Sequence, residues 1–140
     1  MQAIYRYRFT VGPEAIDTNG HVNNVVYVQW MQDMAVRHAD AAGCTDLTQR
    51  IGATWVARSH KIEYLSPAFA GDEIEASTWV ASFRKVRSLR RYRFVRTSDN
   101  VTLAQGETDW VFVDHATGRP RTIPEPVTAA FEILPDPPHP

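Results

Sequence analysis

Eight consecutive residues, Asp17-Thr18-Asn19-Gly20-His21-Val22-Asn23-Asn24, gather one carboxylate, three carboxamides and one imidazole directly before an apolar segment. Side chains of these kinds can move protons or attack an electrophilic carbon. The same types also build turns and helix caps, with Asp17 and Asn23 as turn and capping residues and His21 filling a gap. A second concentration lies between residues 84 and 96: Arg84, Lys85, Arg87, Arg90, Arg91, Arg93 and Arg96. Guanidinium groups bind phosphates well. A solvated outer face is the ordinary explanation of such a run. Strand alternation puts Arg91 and Arg93 on one face and Arg90, Tyr92 and Phe94 on the other.

These groups must be held by the elements around them. Ile4 to Phe9 alternate in the manner of a strand over residues 3–10, which Gly12-Pro13 closes. Residues 14–22 read as a loop. A helix is predicted from Asn24 to Ala42, with Asn23 as N-cap and Gly43 as the stop. Its stripe of Val26, Tyr27, Trp30, Met31, Met34 and Ala35 must face something large and apolar, while Gln29, Asp33, Arg37 and Asp40 form the wetter side. Residues 53–65, 73–83, 88–97 and 102–114 favour β-branched and aromatic side chains. They are read as four strands in a meander, with Ser98-Asp99-Asn100 as a hairpin turn. Residues 125–133 read as a short terminal helix and 135–140 as a flexible tail, so 1–134 form a single domain. One helix and five strands give an α+β class. The helix can bury its stripe only if the antiparallel sheet curls around it.

Composition narrows the classes further. The chain has 140 residues, 44% hydrophobic and 22% charged, as expected of one globular domain. Net charge is −1, which gives no case for a nucleic-acid partner. No apolar run approaches the ~18 residues of a membrane span. The single cysteine, Cys44, excludes an intramolecular disulfide and a cysteine-based zinc cluster. No metal and no organic cofactor are expected. A lone thiol and an N-terminus without a secretory pattern point to the cytoplasm.

The pattern D-x-N-G-H-V-N-N-x-x-Y-x-x-W over residues 17–30 resembles the signature of hotdog-fold thioesterases, including the 4-hydroxybenzoyl-CoA thioesterase group and the plant acyl-ACP thioesterases. Ile62-Glu63-Tyr64, Pro67 and Gly71-Asp72-Glu73-Ile74 resemble the strand–turn–strand that follows the helix there. The resemblance implies a hotdog fold, a curved sheet of about five strands wrapped around one long helix, and hydrolysis of an acyl- or aroyl-CoA thioester.

It also implies roles. Asp17 matches the catalytic aspartate, which acts as nucleophile on the thioester carbonyl or as general base for water. Asn19 and His21 match the asparagine and histidine that join it in the plant enzymes, where they orient water or polarise the carbonyl. Asn24 falls near a position where bacterial acyl-CoA relatives carry a histidine. The further glutamate of the plant enzymes aligns with Pro67, so their machinery does not transfer whole. First-turn amides around Asn23 to Val25 are candidates for receiving charge on the thioester oxygen. Tyr27 and Trp30 lie on the helix that lines the acyl pocket in this family, and as aromatic residues at helical spacing they read equally as core. Arg84, Lys85, Arg87 and Ser88, with Arg58 and His60, are candidates for the phosphates of CoA. The carrier is CoA or ACP.

Two other classes stay open. Hotdog folds also host hydratases and dehydratases, which use differently placed groups, and an acyl-CoA-binding hotdog protein need not catalyse. A single wrapped sheet leaves an open edge. The resemblance implies a homodimer or homotetramer, with Asp17 of one subunit facing its neighbour's pocket.

Overall fold

The computed structural model describes residues 3–135. Five antiparallel strands, β1 (Tyr5–Thr10), β2 (Ala53–Tyr64), β3 (Glu73–Arg84), β4 (Arg87–Arg96) and β5 (Val101–Asp114), form one sheet in the order β1-β3-β4-β5-β2. Helix α1 (Asn24–Ala41) packs on its inner face. In β1, Tyr5, Tyr7 and Phe9 point inward while Arg6 and Arg8 point outward onto Glu75. β2 to β5 begin and end within one residue of the ranges that β-propensity and turns predict. The tail expected over 135–140 lies, from residue 136, outside the described residues.

Three expectations are corrected. The strands do not form a four-strand meander: β3, β4 and β5 do, but β2 pairs with β5 at the far edge. Turn residues at 67–72 specify a reversal, not a neighbour. The segment crosses the sheet end instead, through Leu65 N–H and Ser66 N–H to Leu103 O, Val22 N–H to Ala68 O and Gly71 N–H to Val11 O. Gly71 adopts φ +88°, where a side chain would be strained. Beyond α1, Gly43 at φ +74° starts a second helix, α2 (Cys44–Arg50), which buries Cys44 and Thr48. The terminal helix α3 is only Glu125–Thr128.

The main core joins Tyr27, Met31, Met34 and Ala35 of α1 to Ile74, Ala76, Tyr92, Phe94, Leu103 and Ala104 of the sheet. Gly106 leaves room for both neighbours, since a Cβ there would lie 2.7 Å from Lys61 O of β2 and 3.2 Å from Met31 Sδ of α1. A second cluster of Cys44, Ala53, Val80, Phe112, Val127 and Phe131 closes the other end of the helix. Two strands remain edges. β1 is short, but β2 has twelve residues and is exposed from Val56 to Lys61 on both faces. A bulge between Ala57 and Ser59 interrupts its register.

Candidate functional site

The Asp17 loop is a tight turn pinned at four points. Gly20 N–H donates to Asp17 O, and Asp17 N–H donates to His21 O. Ile16 bridges Val22, and Asn23 N–H donates to Ala15 O. Gly20 takes φ +83°, which lets the chain reverse without strain. Asp17 Oδ1 accepts from Asn19 N–H at 2.9 Å, while Oδ2 makes no hydrogen bond among the described residues. One oxygen is thereby fixed and the other left free, on a half-buried side chain.

Asn23 caps α1, its Oδ1 accepting from Val25 N–H at 2.9 Å. This corrects the expectation that amides 23 to 25 are all unpaired. Asn23 and Val25 both have partners, and of the three only Asn24 N–H has none among the described residues. Asn24 O accepts from Tyr64 Oη–H at 2.7 Å, tying the helix start to the end of β2. Around this corner Val25, Tyr64, Leu65 and Phe69 are exposed, Val25 at 73%.

The other candidates scatter. Asn19 is exposed and His21 half-buried, and neither side chain bonds to Asp17. Tyr27 is buried against Trp30, Tyr64 and Phe94, and burial with Tyr64 nearby pushes its phenol up to about 12. Trp30 is half-buried with an edge contact to Phe9. Both are core residues of the single chain. Arg58 lies exposed at the β2 bulge, and His60 Nδ1 pairs with Thr108 Oγ1 at 2.8 Å. At the β3–β4 turn Arg84 and Lys85 are exposed, Lys85 at φ +41°. Arg87 is ion-paired to Asp109. Ser88 does not join that turn's surface: it is buried and faces inward.

Ser88 lines a feature the sequence reading missed, a cavity of about 280 Å³ between α1, α2 and the sheet. Gln32, Ala35 and Ala39 supply its helical wall, and Thr54, Trp55 and Trp110 the strand wall. Within one chain it lies apart from Asp17, since Gln32, its lining residue nearest the start of α1, sits about 12 Å along the helix from Asn24. The cavity depends on α2, whose short polar sequence gave no helical signal. Among the described residues, no group of three His, Cys, Asp or Glu is placed to hold a metal ion. Among them, too, no helix is long and apolar enough to cross a membrane.

A family model described as the thioesterase-like superfamily matches residues 11–131. No curated protein matches the chain. Among solved structures, a 1,4-dihydroxy-2-naphthoyl-CoA thioesterase from Synechocystis is 17% identical with a TM-score of 0.83, covering 96% of this chain and 99% of its own. A Staphylococcus aureus protein solved in complex with CoA is 18% identical with a TM-score of 0.82, over 91% and 80%. An acyl-ACP thioesterase from Bacteroides thetaiotaomicron is 20% identical with a TM-score of 0.80, over 86% of this chain and 50% of that one. At these identities the structures attest the fold, which is the hotdog arrangement of a curved sheet around a central helix.

Proposed function

The chain belongs to the thioesterase-like superfamily, and from that membership we propose that it hydrolyses an acyl- or aroyl-CoA thioester to the free acid and CoA, with Asp17 as the catalytic carboxylate. The observation that carries the reading is the pinned loop at the start of α1, which leaves Asp17 Oδ2 without a partner among the described residues. As nucleophile, that oxygen attacks the thioester carbon, the C–S bond breaks, and CoA leaves as a thiolate that takes up a proton. Water then cleaves the anhydride and restores the carboxylate. As general base, Asp17 takes a proton from water while the nascent hydroxide attacks the same carbon, and that proton neutralises the leaving thiolate. Asn24 N–H is the first-turn amide available for the oxyanion. Asn19 and His21 then serve by orienting water. The exposed Arg84 and Lys85, with Arg58 and His60 on the open edge, are the proposed contacts for CoA phosphates.

The reading includes a dimer through β2. A two-fold axis at the middle of this strand would set Tyr64 of one copy opposite Ala53 of the other. The start of α1, just after the Asp17 loop, is tethered to Tyr64, and Ala53, Thr54 and Trp55 at the other end of β2 line the cavity. Pairing would therefore bring one subunit's carboxylate to the other's cavity. The proposed compartment is the cytoplasm and no cofactor takes part.

Thiol release from a panel of acyl- and aroyl-CoA esters, with wild type beside Asp17→Asn, tests the reading. Hydrolysis by wild type that drops at least about 10²-fold in the variant supports it. Equal turnover by a folded Asp17→Asn protein removes Asp17. No turnover of any CoA ester, with turnover of acyl-ACP, would change the carrier. Tight CoA binding without turnover of either would make the protein a binder.

A further inference from the structure

Arg90 lines the cavity and is only 5% exposed. Its Nη1 donates to His38 Nδ1 at 2.8 Å and to Thr78 Oγ1 at 3.1 Å. Its Nε and Nη2 make no hydrogen bond, and no carboxylate is within ion-pair distance of it among the described residues. Its neighbours in the same run differ: Arg87 is paired with Asp109, Arg91 with Glu107, and Arg96 with Asp72 and Asp99. Arg90 is thus the buried arginine of the run, and no acid among the described residues pairs with it.

None of the titratable groups around it can serve as counter-ion. His38 accepts at Nδ1 and is therefore neutral, and burial beside Arg90 pulls it down to about 3. Burial raises both the Cys44 thiol and the Tyr92 phenol, so both stay protonated. The Phe131 ring, 5.5 Å from the guanidinium carbon, offers only a cation–π contact. Arginine cannot discharge itself by losing its proton, and a lone buried charge is costly. The indole N–H of Trp110, on the cavity wall near the Tyr92 hydroxyl, makes no geometrically sound hydrogen bond among the described residues. Elsewhere the walls are mainly apolar, with Trp55, Val80 and Phe83 prominent.

We infer that this cavity binds the carboxylate of a compact, largely apolar organic acid, with Arg90 as its counter-ion. Planar guanidinium suits a two-oxygen anion, and the aromatic walls suit a ring or a short branched chain. The volume is near the lower limit of small-molecule sites. The carboxylate can belong to a free acid or to the far end of the acyl group of a thioester. Only the second source rests on the thioesterase reading.

Isothermal titration of the full chain with benzoate, 3-phenylpropanoate, cyclohexanecarboxylate and hexanoate, each beside its primary amide, tests the site. At least one acid should bind about tenfold or more tighter than its amide, the scale of a lost charge-assisted contact. Arg90→Met should abolish that preference. Should that variant not fold, Ala39→Phe, which fills the cavity from the helix side, should abolish binding of the acid with Arg90 intact. Equal binding of acid and amide by wild type, or none, overturns the proposal. Turnover of adipoyl-CoA against hexanoyl-CoA separates the sources. Preference for the ω-carboxylate assigns Arg90 to the acyl group, and acid binding without that preference assigns it to a separate ligand. Failure of all thioesters would count against the thioesterase reading alone, leaving the titration to decide.

Discussion

His38 is neutral in the folded chain because Arg90 donates to its Nδ1 and burial disfavours a second positive charge. In the unfolded chain it titrates near 6.5, and in the folded one at about 3. Between these values the unfolded state holds the extra proton. Stability from this residue is therefore complete above pH 6.5 and lost as pH falls toward 3, by up to ~1.4 kcal/mol per pH unit. Urea midpoints at pH 7.5, 6 and 5 should show the decline. His38→Gln, which keeps an acceptor for Arg90 but cannot titrate, should flatten it, and an unchanged slope would assign the decline to other groups. The sequence signals neither residue of this pair. Arg90 sits in a run of cations that reads as solvated, and strand alternation gives its face without giving its depth. Asp17 is the contrary case, because a carboxylate in a polar loop ahead of an apolar helix is legible as a string of residues.

At the scale of elements, Gly106 sets how closely α1 lies on the sheet. Gly106→Ala would force a methyl against Lys61 O and Met31, lifting the helix or bending β5. A loss of about 1–3 kcal/mol in chemical denaturation is expected. A neutral result would mean that the β2 backbone at Lys61 moves away at little cost. β2 makes a different prediction, because its open edge and the exposed Val56 and Leu65 are proposed to be covered by a second copy. Val56→Glu with Leu65→Glu should shift the mass in light scattering from dimer to monomer with the circular dichroism of the fold retained. A wild-type protein already monomeric would refute the pairing. Strand and helix ranges were legible because period and turn residues are local. The place of β2 was not, since its partner β5 is distant in sequence and no residue of either strand names the other. α2 escaped for the opposite reason: seven residues are too short to display a helical period.

For the whole molecule, the proposed site needs two chains, and this can be read from activity. Asp17→Asn removes the carboxylate from one side, and Thr54→Trp blocks the cavity mouth from the other. Each homodimer should be inactive. Refolding the two together in equal amounts should recover about a quarter of wild-type activity, because half the dimers are mixed and each mixed dimer keeps one intact site. No recovery, with mixed dimers demonstrated, would place the carboxylate and cavity in the same chain's service. The order of the strands also governs how the chain is made. Among the described residues β2 pairs with β5 alone, so Ala53 has no strand partner until Asp114 is available. During synthesis, the first half of the protein leaves the ribosome with α1 uncovered by β4 and β5 and with β2 open on both sides. Such late, long-range pairing slows folding and exposes strand edges meanwhile. Charged side chains disfavour edge-to-edge pairing, and β2 carries the exposed Arg58, Lys61 and Glu63 through that interval.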